Sequence, residues 1–166
     1  MQPRVSVVVP TYNRCASLQR LLLSLANQTL QARGFEVLVV DDGSSDRTPE
    51  VLRSLTVPYS LRSLRQTNQG PGAARNLGVK EARGELIVFL DDDTVPMPDL
   101  LEQHLRVHDS NADAVVIGPM VAPPNWERPA WVRWEEEILD TQYKAMLAGE
   151  FECTPRQFYT ANASLS

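Results

Sequence analysis

Short apolar runs, rich in β-branched residues, alternate along the chain with amphipathic stretches. The runs lie at residues 5–9, 36–40, 59–64, 86–90 and 114–118. Runs of this length, separated by stretches long enough for a helix, are typical of βαβ units. The pattern therefore predicts an α/β fold in which strands and helices alternate around a mostly parallel central sheet.

The stretches between these runs carry helical signals. Leu18, Leu21, Leu22 and Leu25 recur at the helical period and form one apolar face. Three further helices are predicted at residues 48–55 behind Thr48 and Pro49, at residues 73–83 with Gly84 as the C-cap, and at residues 98–108 behind Pro98 and Asp99.

Beyond residue 118 the pattern changes. Four prolines lie within residues 119–129, and a predicted helix at residues 130–147 and an extended segment at residues 157–161 follow. We expect one domain built on the sheet, followed by an appendage.

Charge and cysteine content narrow the class of protein. The 166 residues include 16 Lys and Arg against 21 Asp and Glu, a formal net charge of -5, which argues against a nucleic-acid partner. Cys15 and Cys153 have neither zinc-site nor disulfide-framework spacing, so we expect a cytoplasmic protein, with peripheral membrane association as an alternative. No apolar run approaches the ~20 residues of a membrane helix, so no membrane span is expected.

Polar segments follow three of the predicted strands. They are PTYNR at residues 10–14, DDGSSD at residues 41–46 and DDD at residues 91–93. Ligands of open parallel sheets bind at the carboxyl ends of the strands. We therefore expect the three segments to converge on one rim.

The segment DDGSSD allows two interpretations. Asp, Gly and Ser are common turn residues, so it can be a turn that leads into a helix. A carboxylate accepts hydrogen bonds only, so a carboxylate of this segment at the mouth of a nucleotide cleft would match the ring N–H of uracil or guanine.

The triplet Asp91, Asp92 and Asp93 also allows two interpretations. It can be a solvated charge run that caps the next helix. Neighbouring carboxylates at a partly buried site, however, repel by about 4 kcal/mol per close pair, and Mg²⁺ or Mn²⁺ would relieve that repulsion. A bound cation would also let an acidic cleft accept a diphosphate.

The glycine-rich segment GPGAAR at residues 70–75 is not a dinucleotide fingerprint. It follows the third strand, and Arg75 lies where a small residue is required. It can either start a helix or line a phosphate or sugar site.

Four segments together resemble the family 2 glycosyltransferases of the GT-A fold. They are VSVVVPTYNR (residues 5–14), VVDDGSSDRT (39–48), GAARNLG (72–78) and GELIVFLDDD (84–93). The resemblance implies a Rossmann-like three-layer fold. It also implies inverting transfer of a sugar from a nucleotide diphosphate, UDP favoured and GDP possible, to a hydroxyl of a sugar, lipid-linked or other acceptor. The alternative is a donor-binding module without turnover.

The resemblance also assigns site residues. Asp41 matches the carboxylate that reads the base, and Asp93 matches the aspartate that binds Mn²⁺ or Mg²⁺. The implied nucleotide-binding residues are Pro10, Thr11, Tyr12, Arg14, Asp41, Arg75, Asp91 and Asp92.

The catalytic base is not among these residues. In the family it is a carboxylate downstream of the acidic triplet, and residues 159–166 (YTANASLS) resemble the segment before it. We therefore expect the base beyond Ser166 and weak or no turnover by this chain. Residues 1–118 would then be the donor-binding half and residues 119–166 the start of an acceptor-side half.

Three groups in the second part of the sequence have competing interpretations. Trp126, Trp131 and Trp134 are predicted either to pack a helix on the sheet or to form an acceptor platform. Residues 135–137, all Glu, are predicted to be a solvated helix face rather than catalytic. His104 and His108 are predicted to lie at the surface or in packing rather than at a metal.

Overall fold

The computed structural model describes residues 2–111, 113–122, 126–151 and 159–166. Its elements follow the predicted alternation. In chain order they are β1 (Val5–Thr11), α1 (Cys15–Leu25), β2 (Phe35–Asp41), α2 (Thr48–Ser54), β3 (Ser60–Arg65), α3 (Pro71–Glu81), β4 (Leu86–Leu90), α4 (Leu100–Ser110), β5 (Val115–Ile117), α5 (Ala130–Leu147) and β6 (Asn162–Leu165).

The strands form one sheet in the order β3-β2-β1-β4-β6-β5. β1 pairs in parallel with β2 and β4, and β2 pairs in parallel with β3, whereas β6 runs antiparallel to β4. In the register of the parallel strands, Thr11 lies opposite Asp41, and Asp41 lies opposite Arg65. The polar residues that follow β1 and β2 therefore leave the sheet at the same level.

The core explains why apolar residues dominate β1 on both of its faces. Each of its residues is buried, as expected for a central parallel strand covered on both faces. Alternate residues of β1 pack on one side with α1 and α4 in a cluster that includes Val5, Val7, Val9, Leu18, Leu21, Leu22, Leu25, Leu101 and Leu105. The other face of the sheet is covered by α3, which completes the predicted three layers.

Two glycines allow close approach of the backbone. A Cβ on Gly78 would lie 2.4 Å from Val8 Cγ1, so α3 can rest directly on the sheet only with glycine there. The prediction that Gly84 caps α3 is wrong, because α3 ends at Glu81 with Ala82 at the cap. Gly84 instead packs against β1, where a Cβ would lie 2.7 Å from Ser6 N.

The chain divides into two compact units. Residues 1–116 and 160–166 form the unit that contains most of the sheet, and residues 117–159 form the other. The second unit contains α5, whose predicted bounds agree with those observed.

The predicted extended segment at residues 157–161 differs from the structure. Residues 157 and 158 lie outside the described residues, residues 160 and 161 form a turn, and the strand begins only at Asn162. Because β6 pairs with β4, the last residues of the chain join the sheet unit. In the described ranges no helix is long and apolar enough to cross a membrane.

Candidate functional site

A cleft of about 350 Å³ opens at the carboxyl ends of β1, β2 and β4. The three polar strand-end segments converge there, as the sheet order requires. The lining includes Asp42, Pro71 and all the predicted site residues except Asp41, namely Pro10, Thr11, Tyr12, Arg14, Arg75, Asp91, Asp92 and Asp93.

Asp92 is the buried member of the acidic triplet. Its carboxylate accepts a hydrogen bond from Thr11 Oγ1 over 2.7 Å. Burial raises the pKa of Asp92 above its ordinary value, the Thr11 hydrogen bond and the Arg14 charge oppose this, and the neighbouring Asp93 and Asp91 add to it. Burial is therefore the main reason why the ionised form of Asp92 is disfavoured, and the like charges of its neighbours contribute less.

Two arginines lie against the triplet. Arg14 Nη1 is 2.6 Å from Asp93 Oδ2 and 3.8 Å from Asp92 Oδ1. Arg75 Nη2 is 2.5 Å from Asp91 Oδ1, and its buried Nε has no hydrogen-bond partner. Each of the two arginine side chains is thus paired with a carboxylate of the triplet.

The interpretation of the triplet as a helix cap is wrong. α4 begins at Leu100 with Asp99 at its cap position, so the triplet lies a full loop before the helix. The three carboxylates belong to the cleft.

Asp41 lies outside the cleft lining. As the last residue of β2 it is almost fully buried, and its side chain is 3.1 Å from Arg65 Nη1. It also accepts a hydrogen bond from Ser44 N over 2.8 Å, which closes the turn after β2. The structure therefore supports the turn interpretation for Asp41, and its predicted base-reading role finds no support in this geometry.

Asp42 lines the cleft instead. Its carboxylate accepts hydrogen bonds from Gln66 Nε2 (2.7 Å), Gln69 N (2.9 Å) and Gly70 N (2.8 Å). Burial raises the pKa of Asp42, but these three hydrogen bonds outweigh it and leave the pKa below the ordinary value. An ionised Asp42 thus holds the loop that leads into α3 against the cleft.

Asn13 ties two strand-end segments together, a role that the sequence analysis missed. Its Oδ1 accepts hydrogen bonds from Ser45 N at 2.7 Å and Asp46 N at 3.2 Å, and its own N–H donates to Ser44 Oγ at 2.9 Å. Its φ of 55° is left-handed, which Asn tolerates better than most residues. The sequence signal for this role is the position of an Asn between a predicted strand and a predicted helix.

The glycine-rich segment satisfies both of its interpretations. Gly70, at φ 87°, precedes α3, which begins at Pro71. Pro71 and Arg75, one turn apart, face the cleft. Residues 70–75 therefore start a helix and line the site.

The two histidines form a buried polar cluster with β6. His104 Nδ1 is 2.7 Å from Ser164 Oγ, and His104 Nε2 is 2.9 Å from Asn162 Oδ1. His108 Nε2 is 2.9 Å from the same Ser164 oxygen. The packing role predicted for both residues is confirmed, and the predicted surface role is wrong.

The other groups of the second part are exposed. Trp126, Trp131 and Trp134 expose 47%, 65% and 65% of their surface, so the prediction that these side chains are buried by helix-on-sheet packing is wrong. The acceptor platform stays a prediction. Glu135 and Glu137 are exposed as predicted, and Glu136 pairs with Arg128 at 3.2 Å.

The donor set of the cleft suits a hard divalent cation. In the described part of the chain, no three His, Cys, Asp or Glu side chains are grouped to hold a metal by themselves. Mg²⁺ and Mn²⁺ are commonly held by one or two carboxylates together with substrate phosphates. The side chain of Asp93 is half exposed in the cleft, so it could hold such a cation together with substrate phosphates.

A mostly parallel sheet with a cleft at the carboxyl ends of its strands is the arrangement in which open α/β domains bind their ligands. The sequence profile of Glycosyl transferase family 2 matches residues 6–159. The chain belongs to this family, and its fold is the GT-A fold.

Individual relatives agree with the family. The putative glycosyltransferase EpsH of Bacillus subtilis (strain 168) is 38% identical over 115 residues, which are 69% of this chain and 33% of that protein. S. aureus TarS 1-349 in complex with UDP-GlcNAc superposes with a TM-score of 0.68 at 34% identity, over 76% of this chain and 37% of that chain.

The mannosyltransferase PcManGT from Pyrobaculum calidifontis, in complex with GDP-Man and Mn²⁺, has a TM-score of 0.74 at 27% identity, over 99% of this chain and 45% of that chain. The present chain thus spans less than half the length of each of these three proteins.

Proposed function

We propose that this chain contains the donor site of an inverting glycosyltransferase, which binds a nucleotide diphosphate sugar for transfer to an acceptor hydroxyl. The observation that carries the proposal is the cleft in which two arginines and three aspartates meet at the strand ends. TarS with UDP-GlcNAc and PcManGT with GDP-Man and Mn²⁺ support a donor of this class. UDP is the favoured carrier and GDP the second.

The base and ribose would lie against Pro10, Thr11 and Tyr12. Tyr12 is about half exposed beside the cleft, so a flat ring can stack on it. Asp42 replaces Asp41 as the carboxylate that reads the base. It remains ionised because its pKa is lowered, and a carboxylate has about four acceptor positions, of which the loop uses three.

The diphosphate would lie beside Arg75 and the triplet. The unpartnered Nε of Arg75 is a donor suited to a phosphate oxygen. Asp93 would hold Mn²⁺ or Mg²⁺, which supplies Lewis-acid stabilisation of the departing diphosphate when bound. Asp91 and Asp92 would face the ribose or the sugar.

The general base is proposed to be a carboxylate outside this cleft. Each cleft aspartate already has a partner: Gln66 for Asp42, Arg75 for Asp91, Thr11 for Asp92 and Arg14 for Asp93. A base must be able to accept a proton from the acceptor hydroxyl, and these partners oppose that.

Isothermal titration of UDP and GDP, with Mn²⁺ and with EDTA, tests the donor site. We expect binding that requires the cation and that Asp93→Asn weakens more than Asp91→Asn. Each of these two substitutions removes one negative charge from the triplet, so the two variants differ only in the position of the lost charge. Binding that is unchanged by EDTA would exclude the metal role, and binding of neither nucleotide would exclude the proposed function.

A further inference from the structure

We propose that Arg14 is an exchangeable counter-ion: it neutralises Asp93 in the free protein and moves to the donor diphosphate when the cation binds. The inference rests on the proposed function, since it takes Asp93 as the cation ligand. Its consequence is that cation and nucleotide bind cooperatively. Arg14 is then a positioning residue that disfavours the cation alone and favours the loaded donor.

The position of Arg14 gives it access to both partners. It precedes α1, where the backbone turns from β1 into the helix, and its side chain lines the same cleft as Asp93 and Arg75. It makes no side-chain cap to α1, so the helix does not depend on its guanidinium. The side chain can therefore move without loss of local structure.

The ion pair competes with a cation. Arg14 Nη1 lies 2.6 Å from Asp93 Oδ2, one of the two carboxylate oxygens that could bind a metal, and 3.8 Å from Asp92 Oδ1. A cation that binds Asp93 Oδ2 would displace Arg14, and one that binds the other oxygen would lie close to the positive guanidinium. Once a diphosphate is present, the displaced guanidinium gains a new anion, for which its planar fork of donors is well suited.

The exposure of the pair makes the exchange feasible. The side chains of Arg14 and Asp93 are 53% and 51% exposed, so water and a ligand reach both. Exposed ion pairs contribute little to stability, so breaking the Arg14–Asp93 pair costs little free energy. Asp92, by contrast, is buried and held by Thr11, and it keeps its place in either state.

Linkage gives the inference a distinctive signature. If Arg14 exchanges between Asp93 and the diphosphate, its removal should strengthen binding of the cation alone and weaken binding of the nucleotide. We expect Arg14→Gln to tighten binding of Mn²⁺ alone by about two- to fivefold, the range of an exposed ion pair. The same variant should weaken binding of UDP or GDP at saturating Mn²⁺ by about tenfold, as for a lost hydrogen bond to a charged group.

Two matched variants control for charge. Arg47→Gln removes one positive charge from an arginine whose recorded ion pair is with Glu50, at 3.3 Å, and should leave both affinities unchanged. Arg14→Lys keeps the charge and loses the planar fork, so both affinities should lie between those of the wild type and Arg14→Gln. Circular dichroism establishes that each variant is folded.

The experiment measures free Mn²⁺ by electron paramagnetic resonance during titration with MnCl₂ alone, and titrates UDP and GDP calorimetrically at saturating Mn²⁺. Opposite changes in the two affinities for Arg14→Gln support the inference. Changes of the same sign, or none, overturn it and leave the donor site standing. A wild-type protein that binds neither Mn²⁺ nor nucleotide overturns the proposed function, and the inference with it.

Discussion

Thr11 Oγ1 donates a hydrogen bond to Asp92 Oδ2 over 2.7 Å, although 81 positions separate the two residues in the chain. β1 and β4 are parallel neighbours, so the last residue of β1 lies beside the triplet that follows β4. The bond keeps the buried Asp92 carboxylate paired. It also joins the segment proposed for the base and ribose to the segment proposed for the diphosphate.

Replacement of Thr11 by Val should lower the free energy of unfolding by about 1.5–3 kcal/mol near neutral pH, because a buried carboxylate loses a hydrogen bond. The folded-state pKa of Asp92 is raised, so its ionisation opposes folding as pH rises above the unfolded value of 3.8. The deficit of Thr11→Val should therefore shrink on acidification, when Asp92 becomes protonated.

Urea unfolding at several pH values measures this effect, and Thr11→Ser, which keeps the hydroxyl, is the control. Equal stability of the Val and Ser variants near pH 7 would show that the hydroxyl does not support Asp92.

Asp42→Asn should weaken UDP or GDP binding about 10- to 150-fold, the range for a hydrogen bond to a charged group, and Asp41→Asn should weaken it far less. The reason is that Asp42 lines the cleft, whereas Asp41 faces Arg65 and Ser44. Calorimetric titration gives both affinities.

The loop held by Asp42 needs its own control. Gln66→Leu removes one loop contact of the carboxylate and leaves the carboxylate in place. If that variant loses as much affinity as Asp42→Asn, loop order and not base recognition explains the effect.

The contribution of His104 should lower the stability of the protein as the pH falls from about 7 to 5, whereas protonation of Asp92 acts in the opposite direction. Burial lowers the pKa of His104 below 6.5, the hydrogen bond with Asn162 opposes this, and the nearby His108 adds to it. In this pH range His104 binds a proton in the unfolded chain but not in the folded protein. Lowering the pH therefore favours unfolding through this residue. Asp42 and Asp46, whose pKa values are lowered below 3.8, act only at lower pH.

NMR titration of the histidine resonances and urea unfolding at each pH measure the effect. His104→Gln should reduce the pH dependence between these limits, whatever its stability at neutral pH. A His104 resonance that titrates at or above pH 6.5 would contradict the prediction.

Gly78→Ala should destabilise the fold by about 1–3 kcal/mol, because the added methyl would lie 2.4 Å from Val8 Cγ1. Gly72→Ala in the same helix meets no atom within 4 Å and should stabilise by about 0.4–1 kcal/mol. Urea unfolding of the two variants compares them directly. A Gly78→Ala protein as stable as wild type would mean that α3 shifts on the sheet at little cost.

The sequence pattern identified the elements because their signals are local. Apolar runs such as residues 86–90 and the leucine face of α1 depend on periodicities of two to four residues, which burial on a sheet requires. The choice between Asp41 and Asp42 does not follow from such a pattern. Successive side chains at a strand end point in different directions, and the turn closed by Ser44 decides which carboxylate meets the cleft.

By itself, the sequence determined the α/β class, the order of elements up to β5 and the convergence of three polar segments, because parallel strands place their carboxyl ends at one edge. Only the tertiary structure decided that Arg14 pairs with Asp93, that Thr11 supports Asp92 and that β6 joins the sheet antiparallel to β4. These contacts join residues 79, 81 and more than 70 positions apart. Side-chain direction and strand pairing over such distances are set by packing of the whole sheet, which no local periodicity encodes.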